Sequence, residues 1–166
     1  MNDIHFLMVD AQFPSGTPLS YPDHMPKSKD VIVKAVTTMH RWMYKGSSGR
    51  ILSTGGGMPV VVLTTIGRKT GQRRQTMLTA PLVNDDRIVL VGSYGGDDRH
   101  PAWLLNLRDN PAVEVDSQGS KRSMTARIAN ATERQELWPQ VVAVNPGYAG
   151  YQEKTDREIP VVIVEP

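Results

Sequence analysis

The residues best suited to chemistry are four cations in one short turn. The stretch Ile66–Arg74, IGRKTGQRR, carries Arg68, Lys69, Arg73 and Arg74. Its two glycines let the chain turn without a steric penalty at Cβ. Fixed cations beside free turn N–H groups suit phosphate or carboxylate ligands. The pattern therefore predicts an anion-binding turn, and the alternative is a solvated basic turn on the surface.

Other familiar chemistries have little support in the sequence. The chain has no cysteine, which excludes disulfides, thiolate metal sites and thiol nucleophiles. Asp97, Asp98 and His100 suggest a metal site, but a turn followed by a helix start explains them more simply. Serine, histidine and aspartate occur without the motif context of a hydrolytic triad. No metal site is predicted, and an enzyme with this sequence would take its hard chemistry from an organic cofactor.

Bulk properties indicate an ordinary globular protein. The 166 residues suit one domain, and 19 Lys+Arg against 17 Asp+Glu give a net charge of +2. That charge is too small for a dedicated nucleic-acid binder. No apolar run approaches the roughly 20 residues of a membrane span, and the N-terminus does not resemble a signal peptide. We therefore expect a cytoplasmic location.

The cationic turn is predicted to form the tip of a β-hairpin. The β-branched run Val60–Ile66 enters the turn, and a strand with period-two alternation leaves it from Arg74. Further strands are predicted at Arg87–Tyr94, Ala112–Asp116, Ser120–Ala129 and Pro160–Val164.

Three helical segments are predicted. An amphipathic helix runs from Ser28 to about Lys45, and a short helix follows Pro101 and ends before Pro111. The third begins at a capping box of Thr132 and Gln135 and breaks at Pro139, before Tyr148 and Tyr151 in a glycine-rich loop.

These elements predict a mainly β fold with packed helices: about six strands and three helical segments, as a small antiparallel barrel. Residues 1–27, with four prolines, are predicted to be a flexible tail. Residues 28–166 are predicted to form the single folded domain.

Four strings carry a family resemblance: LTTIGRKTGQRR, VGSYGG, HPAWLLNLRDNP and YQEKTDREIPVVIVEP. In order and spacing they resemble the deazaflavin-dependent nitroreductases, also known as coenzyme F420-dependent quinone reductases. The resemblance covers about Ile32 to Pro166. It implies a split β-barrel like that of FMN-binding proteins. It also implies the cofactor F420, an 8-hydroxy-5-deazaflavin whose tail carries a phosphate and an oligoglutamate chain.

The resemblance also implies a set of cofactor-binding residues. Arg68, Lys69 and Thr70 match positions that hold the anionic tail. Other segments match positions along the cofactor and its ring. These are Arg74, Gln75, Thr76, Met77, Leu78 and Thr79; Val91, Gly92, Ser93 and Tyr94; Ala102, Trp103, Leu104, Leu105 and Asn106; and Tyr148.

Four residues are implied at the reacting end. Tyr148 matches a tyrosine over the ring on the substrate side, Tyr151 is a nearby aromatic gate, and Ser93 is the candidate for orienting the substrate. Thr79 stands where some members have a tyrosine that contributes to nitro-drug reduction, so that activity is left open.

The resemblance therefore implies a reductase that passes a hydride from reduced F420 to an electron-poor planar acceptor. The acceptor is expected to be a quinone, an activated enone or lactone, or a nitroaromatic. The alternatives are an FMN-dependent split-barrel oxidoreductase and a non-catalytic protein that sequesters deazaflavin. We expect no nucleic-acid partner, a monomer or homodimer, and peripheral contact with the inner face of the cell membrane through the helix near residues 32–45.

Overall fold

The structure is a computed structural model that describes Thr54, Gly55 and residues 57–166. The predicted tail, the predicted helix from Ser28 to Lys45 and its membrane contact lie outside these residues. The described residues form eight strands, a 3₁₀ turn at Tyr94–Gly96 and three α-helices. The strands are β1 (Thr54–Gly55), β2 (Met58–Ile66), β3 (Arg73–Thr79), β4 (Leu82–Val83), β5 (Ile88–Val91), β6 (Ala112–Ser117), β7 (Ser120–Ile128) and β8 (Val161–Glu165). The helices are α1 (Ala102–Asp109), α2 (Ala131–Val144) and α3 (Gly147–Gln152).

β2 is the strand on which the sheet is built. It pairs along its length with β3 and over Val61–Thr64 with β6, and every pairing in the sheet is antiparallel. The nearly continuous β-branched run suits this position, because such a run is typical of a strand that is buried on both faces. Residues 60–65 are indeed all buried.

The order of the strands requires the sheet to curl. The main path runs β3-β2-β6-β7-β8-β5-β4, so β3 and β4 lie at opposite ends of it. Only Ala80 and Pro81 join these two strands. A flat sheet would separate them by roughly 29 Å, whereas three Cα steps reach about 11 Å. The sheet therefore closes on itself as a split β-barrel, as predicted.

The barrel is filled from inside and covered from outside. In β8, Val162 and Val164 face the interior while Val161 and Ile163 face outward, as strand alternation requires. The interior cluster consists of Val61, Leu63, Ala80, Ile88, Leu90, Trp103, Leu104, Leu107, Val113, Val115, Met124, Ala126, Val162 and Val164. The outer cluster consists of Met58, Val89, Val91, Leu137, Val141, Tyr148, Ile159, Val161 and Ile163.

Helix α1 belongs to the interior, whereas α2 and α3 belong to the outer layer. Trp103, Leu104 and Leu107 of α1 pack into the interior cluster. The chain passes close to α1 at Gly92. A Cβ there would lie 3.3 Å from Leu104 Cδ2 and 3.5 Å from Pro160 Cδ, so a larger residue would require the Leu104 side chain to shift.

The prediction of a helix break at Pro139 is wrong. α2 runs through Pro139 from Ala131 to Val144. The proline removes the N–H that would bond the carbonyl of Gln135, but both residues are exposed and water can take that place. On the opposite side, Leu137 and Val141 pack into the outer cluster and hold the helix on the barrel.

Three other features of the secondary structure differ from prediction. β5 stops at Val91 and not at Tyr94, because Ser93 already has helical dihedral angles, with φ −67° and ψ −41°, and leads into the 3₁₀ turn. The two strands beyond the predicted six are β1 and β4, each only two residues long. Tyr148 and Tyr151 lie in helix α3 and not in a loop.

The capping box of α2 is formed by other residues than predicted. The Asn130 side chain accepts from the N–H of Glu133 at 2.9 Å, and the Glu133 carboxylate accepts from the N–H of Asn130 at 2.8 Å. Glu133 also binds Arg127 of β7 at 2.8 Å, and Arg127 binds Glu165 of β8 at 2.9 Å. One carboxylate thus caps the helix and fastens it to the sheet.

This arrangement predicts a stability that depends on acid pH. The hydrogen bond from Arg127 and the bond from the Asn130 N–H lower the pKa of Glu133 from 4.5 to about 2. A lowered pKa stabilises the fold above pH 4.5, and that contribution is lost as the pH falls through 2. In unfolding titrations between pH 2 and 7, Glu133→Gln should be less stable than wild type at neutral pH, and the gap should close towards pH 2. Glu136→Gln, on the same helix, is the control. A gap that does not change with pH would contradict this prediction.

Candidate active site

The cationic turn is built by its own backbone. The N–H of Gly67 donates to the carbonyl of Gln72 at 2.8 Å, and the N–H of Gly71 donates to the carbonyl of Gly67 at 2.7 Å. Gly71 has a φ of +66°, which explains the glycine at that position. The turn between β2 and β3 is therefore a defined structure rather than a loose tip.

These hydrogen bonds correct the prediction of free turn N–H groups. Besides Gly67 and Gly71, the N–H groups of Arg68, Thr70 and Gln72 also have intramolecular acceptors. An anion at this turn would have to be bound mainly by side chains.

The four cations of the turn are not equivalent. Arg73 pairs with Glu114 of β6 across β2, at 3.0 Å. Among the described residues, Arg74 bonds only the neutral hydroxyl of Thr70, at 3.4 Å. Arg68 and Lys69 are exposed, and neither has an acidic partner among the described residues. The charge available to a ligand therefore belongs to Arg68, Lys69 and Arg74.

Asn106 fastens the turn to helix α1. Its side chain is 7% exposed, accepts from the N–H of Arg68 at 3.2 Å and donates to the hydroxyl of Thr65 at 3.1 Å. A buried amide with both ends used holds its neighbours firmly. Asn106, one of the predicted cofactor-binding residues, therefore holds the turn in position against α1.

β3 leads from the cations to the tyrosines. Gln75, Thr76, Met77, Leu78 and Thr79 are all half-buried along it, and the Gln75 amide donates to Thr64 of β2 at 3.4 Å. The seven residues of extended chain from Arg73 to Thr79 span about 20 Å. The strand thus offers a continuous edge between a charged end and an aromatic end.

The aromatic end is a group of three residues, joined by one hydrogen bond and one contact between rings. The hydroxyls of Thr79 and Tyr148 are 3.0 Å apart, and the rings of Tyr148 and Tyr151 meet edge to face with centroids 6.2 Å apart. Tyr148 is 5% exposed and packs in the outer cluster. Burial raises the pKa of Tyr148, with a further rise from Tyr151 and an opposing effect of the bond to Thr79. The Tyr148 phenol therefore stays protonated at neutral pH and keeps a proton to donate.

The segment after β5, which was predicted to line the cofactor ring, lies against the C-terminal end of helix α3. Val91 is buried in the outer cluster, while Ser93 and Tyr94 are half-buried. The Ser93 carbonyl accepts from Arg157 at 2.8 Å. Within the described residues, no hydrogen bond joins the Ser93 hydroxyl to Tyr148 or Thr79. The structure thus joins Thr79, Tyr148 and Tyr151 by direct contacts, and the role of Ser93 toward a substrate stays a prediction.

The predicted residues of α1 divide between core and surface. Trp103 and Leu104 are buried in the interior cluster, Leu105 is half-buried and Ala102 is exposed. Only Ala102 and Leu105 present side chains outside the core.

Arg157 and Thr155 were missed by sequence reasoning. The Arg157 guanidinium donates to carbonyls of the segment Gly92–Asp98, and the Thr155 hydroxyl donates to Asp98 at 2.8 Å. Their partners lie 57 to 65 residues away, so no local pattern marks them. The carboxylate of Asp97 binds Arg99 at 2.9 Å, so both aspartates have partners other than a metal ion.

His100 completes the surroundings of Arg157. Its Nδ1 is 3.5 Å from Arg157 Nη1. Burial lowers the pKa of His100, and the charges of Arg108 and Arg157 lower it further. The imidazole is therefore neutral at pH 7 and can accept a hydrogen bond from the guanidinium.

Comparisons with known proteins agree on one family. The family model described as F420H(2)-dependent quinone reductase matches residues 36–166. The F420H(2)-dependent quinone reductase Rv1261c of Mycobacterium tuberculosis H37Rv is 37% identical over 131 residues, which cover 76% of this chain and 87% of that protein.

Two solved structures are also similar. One is described as an F420-H2 dependent reductase, FDR-A. It is 41% identical with a TM-score of 0.59, and the match covers 64% of this chain and 94% of that one. The other is described as a domain-swapped dimer. It is 34% identical with a TM-score of 0.62, and the match covers 84% of this chain and 100% of that one. No helix within the described residues is long and apolar enough to cross a membrane.

Proposed function

This chain belongs to the F420H(2)-dependent quinone reductase family, and from that premise we propose that it reduces a quinone bound against Tyr148 and Tyr151. It is an F420-dependent reductase that acts on a small-molecule acceptor. The site is assigned on one observation: the two ends of β3 carry different chemistry. At one end lie Arg68, Lys69 and Arg74, which have no acidic partner among the described residues, and at the other lies a buried phenol bonded to Thr79.

The chemistry of the side chains fits F420. Arg68 and Lys69 are exposed, and within the part of the chain that the structure describes Arg74 bonds only a hydroxyl, so these three cations can bind a polyanionic tail. Charge-assisted hydrogen bonds to phosphate and carboxylate oxygens are the strong ones. FMN carries a single phosphate and would use fewer of these cations.

The opposite end suits a planar ring. Tyr148 and Tyr151 offer an edge-to-face aromatic pair, and Thr79 adds a hydroxyl to an otherwise apolar wall. Flat ligands are commonly held by apolar walls with a few polar groups that set their orientation. We assign this end to the ring of the cofactor and to the acceptor stacked on it.

When bound, reduced F420 supplies the hydride. A quinone that gains one hydride and one proton becomes a hydroquinone, so a proton has to come from the protein or from solvent. The Tyr148 hydroxyl is our candidate donor, because it lies at this end of β3, is held by Thr79 and carries its proton at neutral pH. Thr79, 3.0 Å away, fixes the direction of that hydroxyl. Tyr151 walls the site from the side and helps exclude water.

Thr79 favours a quinone over a nitroaromatic in this proposal. Its short side chain is occupied with the Tyr148 hydroxyl, so no second phenol is available beside the acceptor. The family resemblance implies that some members have a tyrosine at this position, which contributes to nitro reduction. Activated enones, which present a carbonyl oxygen to Tyr148 as quinones do, are the next class of acceptor.

The test is an anaerobic reoxidation assay with the full chain. Reduced F420 is mixed with a soluble quinone, and the return of the oxidised deazaflavin absorbance is followed. We expect reoxidation well above the protein-free control, and slower reoxidation with a nitroaromatic of similar size. Tight F420 binding without turnover of quinone, enone or nitroaromatic would instead support a sequestering protein. A parallel FMN titration is expected to show weaker binding than F420.

A further inference from the structure

Arg157 binds three backbone carbonyls of one loop. Nη2 donates to the carbonyl of Gly92 at 3.2 Å and to that of Ser93 at 2.8 Å, while Nε donates to the carbonyl of Asp97 at 2.8 Å. One guanidinium group therefore binds the loop near both of its ends. A planar group with donors in a rigid fork sets the distance between those ends.

Two more contacts join the same loop to the segment that follows α3. The buried hydroxyl of Thr155 donates to Asp98 at 2.8 Å. Gly96 lies directly against the C-terminal end of α3, because a Cβ there would be 2.8 Å from the carbonyl oxygen of Tyr151 and 2.9 Å from Lys154 Cβ. The loop thus touches the helix that carries Tyr148 and Tyr151.

We propose that Arg157 and Thr155 form a clamp that makes the loop Gly92–Asp98 and the tyrosine helix α3 one rigid wall, and that Arg157 is a positioning residue for hydride transfer. This inference rests on the proposed function, because α3 and the loop line the ring end assigned there. The clamp acts on backbone atoms and reaches the reaction only through the elements it holds. A shift of about 1 Å in such a wall can cost about a hundredfold in rate.

Arg134 provides a matched control. It also binds the segment after α3, at the carbonyl of Ile159 and the amide of Gln152, both at 3.4 Å. Its other contacts are Glu158 and the ring of Trp138 on α2. Arg134 therefore holds the same segment as Arg157. Among the described residues it makes no hydrogen bond to the loop Gly92–Asp98, so loss of Arg134 should leave that loop in place.

The first measurement is hydrogen exchange on the full chain without cofactor. The N–H of Gly96 is bonded to the carbonyl of Ser93 at 3.0 Å, and the N–H of Gly92 to that of Pro160 at 2.9 Å. We expect Arg157→Gln to raise the exchange rates of these amides about tenfold or more, because local opening governs exchange. Arg134→Gln should leave them near wild type. Thr155→Val, a milder change, should raise exchange in the same peptides to a smaller extent.

The second measurement is steady-state kinetics normalised to the F420-binding fraction of each preparation. Arg157→Gln should lower kcat with quinone about tenfold to a hundredfold. The Kd of F420 should change by about twofold or less, because the tail cations are at the other end of β3. Arg157→Lys, which keeps one charged donor, should recover part of the lost kcat.

Unchanged exchange in Arg157→Gln, or equal changes in Arg134→Gln, would overturn the clamp. Altered exchange with unchanged kcat would overturn the positioning role. If Arg157→Gln does not fold, Thr155→Val decides by the same two criteria. If the wild-type protein shows no turnover with any acceptor, the proposed function fails, and so does the positioning role, while the exchange data decide the clamp separately.

Discussion

Replacing Arg68 and Lys69 together with glutamine should weaken F420 binding about 10- to 100-fold. Both side chains are exposed and lack acidic partners among the described residues, so they lose no internal contact when they bind an anionic tail. Each bond to a phosphate or carboxylate oxygen is charge-assisted, although solvent reduces its worth at an exposed site. The measurement is a titration of the full chain with F420 at two salt concentrations. Affinity should fall with salt, and less steeply in the double variant.

The charge-matched comparison for this prediction lies in the same turn. Lys69→Gln and Arg73→Gln each remove one positive charge, but Arg73 is engaged with Glu114 at 3.0 Å. Lys69→Gln should therefore weaken F420 binding clearly more than Arg73→Gln. Equal losses would mean that the net charge of the turn, and not the geometry of particular side chains, governs binding. No loss in the double variant would remove the tail from this turn altogether.

Tyr148→Phe should lower kcat with quinone about a hundredfold and leave F420 affinity nearly unchanged. The ring and its packing against Tyr151 remain, while the proton and the hydrogen bond to Thr79 are lost. A positioned general acid contributes about 10²- to 10⁴-fold to rate. Stopped-flow single turnovers would separate this loss from effects on product release. Full kcat in the variant would show that Tyr148 serves only as an aromatic wall.

Thr79→Val and a pH profile sharpen the same prediction. Thr79→Val keeps the Tyr148 hydroxyl but removes its partner at 3.0 Å, so kcat should fall less than in Tyr148→Phe.

Because the pKa of Tyr148 is raised above 10.0, the phenol should hold its proton through pH 9. Any loss of kcat that depends on Tyr148 should therefore appear only above pH 10. A loss at pH 8 that disappears in Tyr148→Phe would contradict the assignment.

Much of the fold follows from short-range patterns. The run from Val60 to Ile66 predicted β2, since β-branched residues favour extended chain and the bounding glycines favour a turn. Pro101 and Pro111 bracket α1 because a proline suits a helix start and stops a helix from continuing. The family strings in turn implied F420 chemistry and the split barrel, which the comparisons confirmed.

Local rules failed where tertiary contacts outweighed them. Pro139 should break a helix, yet α2 continues because Leu137 and Val141 anchor it on the barrel. Tyr148 and Tyr151 stand among glycines, which favoured a loop. They form α3 because burial of Tyr148 in the outer cluster stabilises a short helix that propensity alone would not.

The sequence by itself determined the strand-forming runs, the cationic turn and the family, because these depend on neighbouring residues. Only the tertiary structure decided which cations are free, which hydroxyl Tyr148 meets and what Arg157 holds. Arg73 meets Glu114 across β2, Thr79 meets Tyr148 69 residues away, and Arg157 meets Gly92 65 residues away. Such pairs carry no periodic signal in the chain. Arg73 meets Glu114 because β3 and β6 both pair with β2, and the other two pairs exist because the fold brings α3 and the segment after it against β3 and the loop after β5.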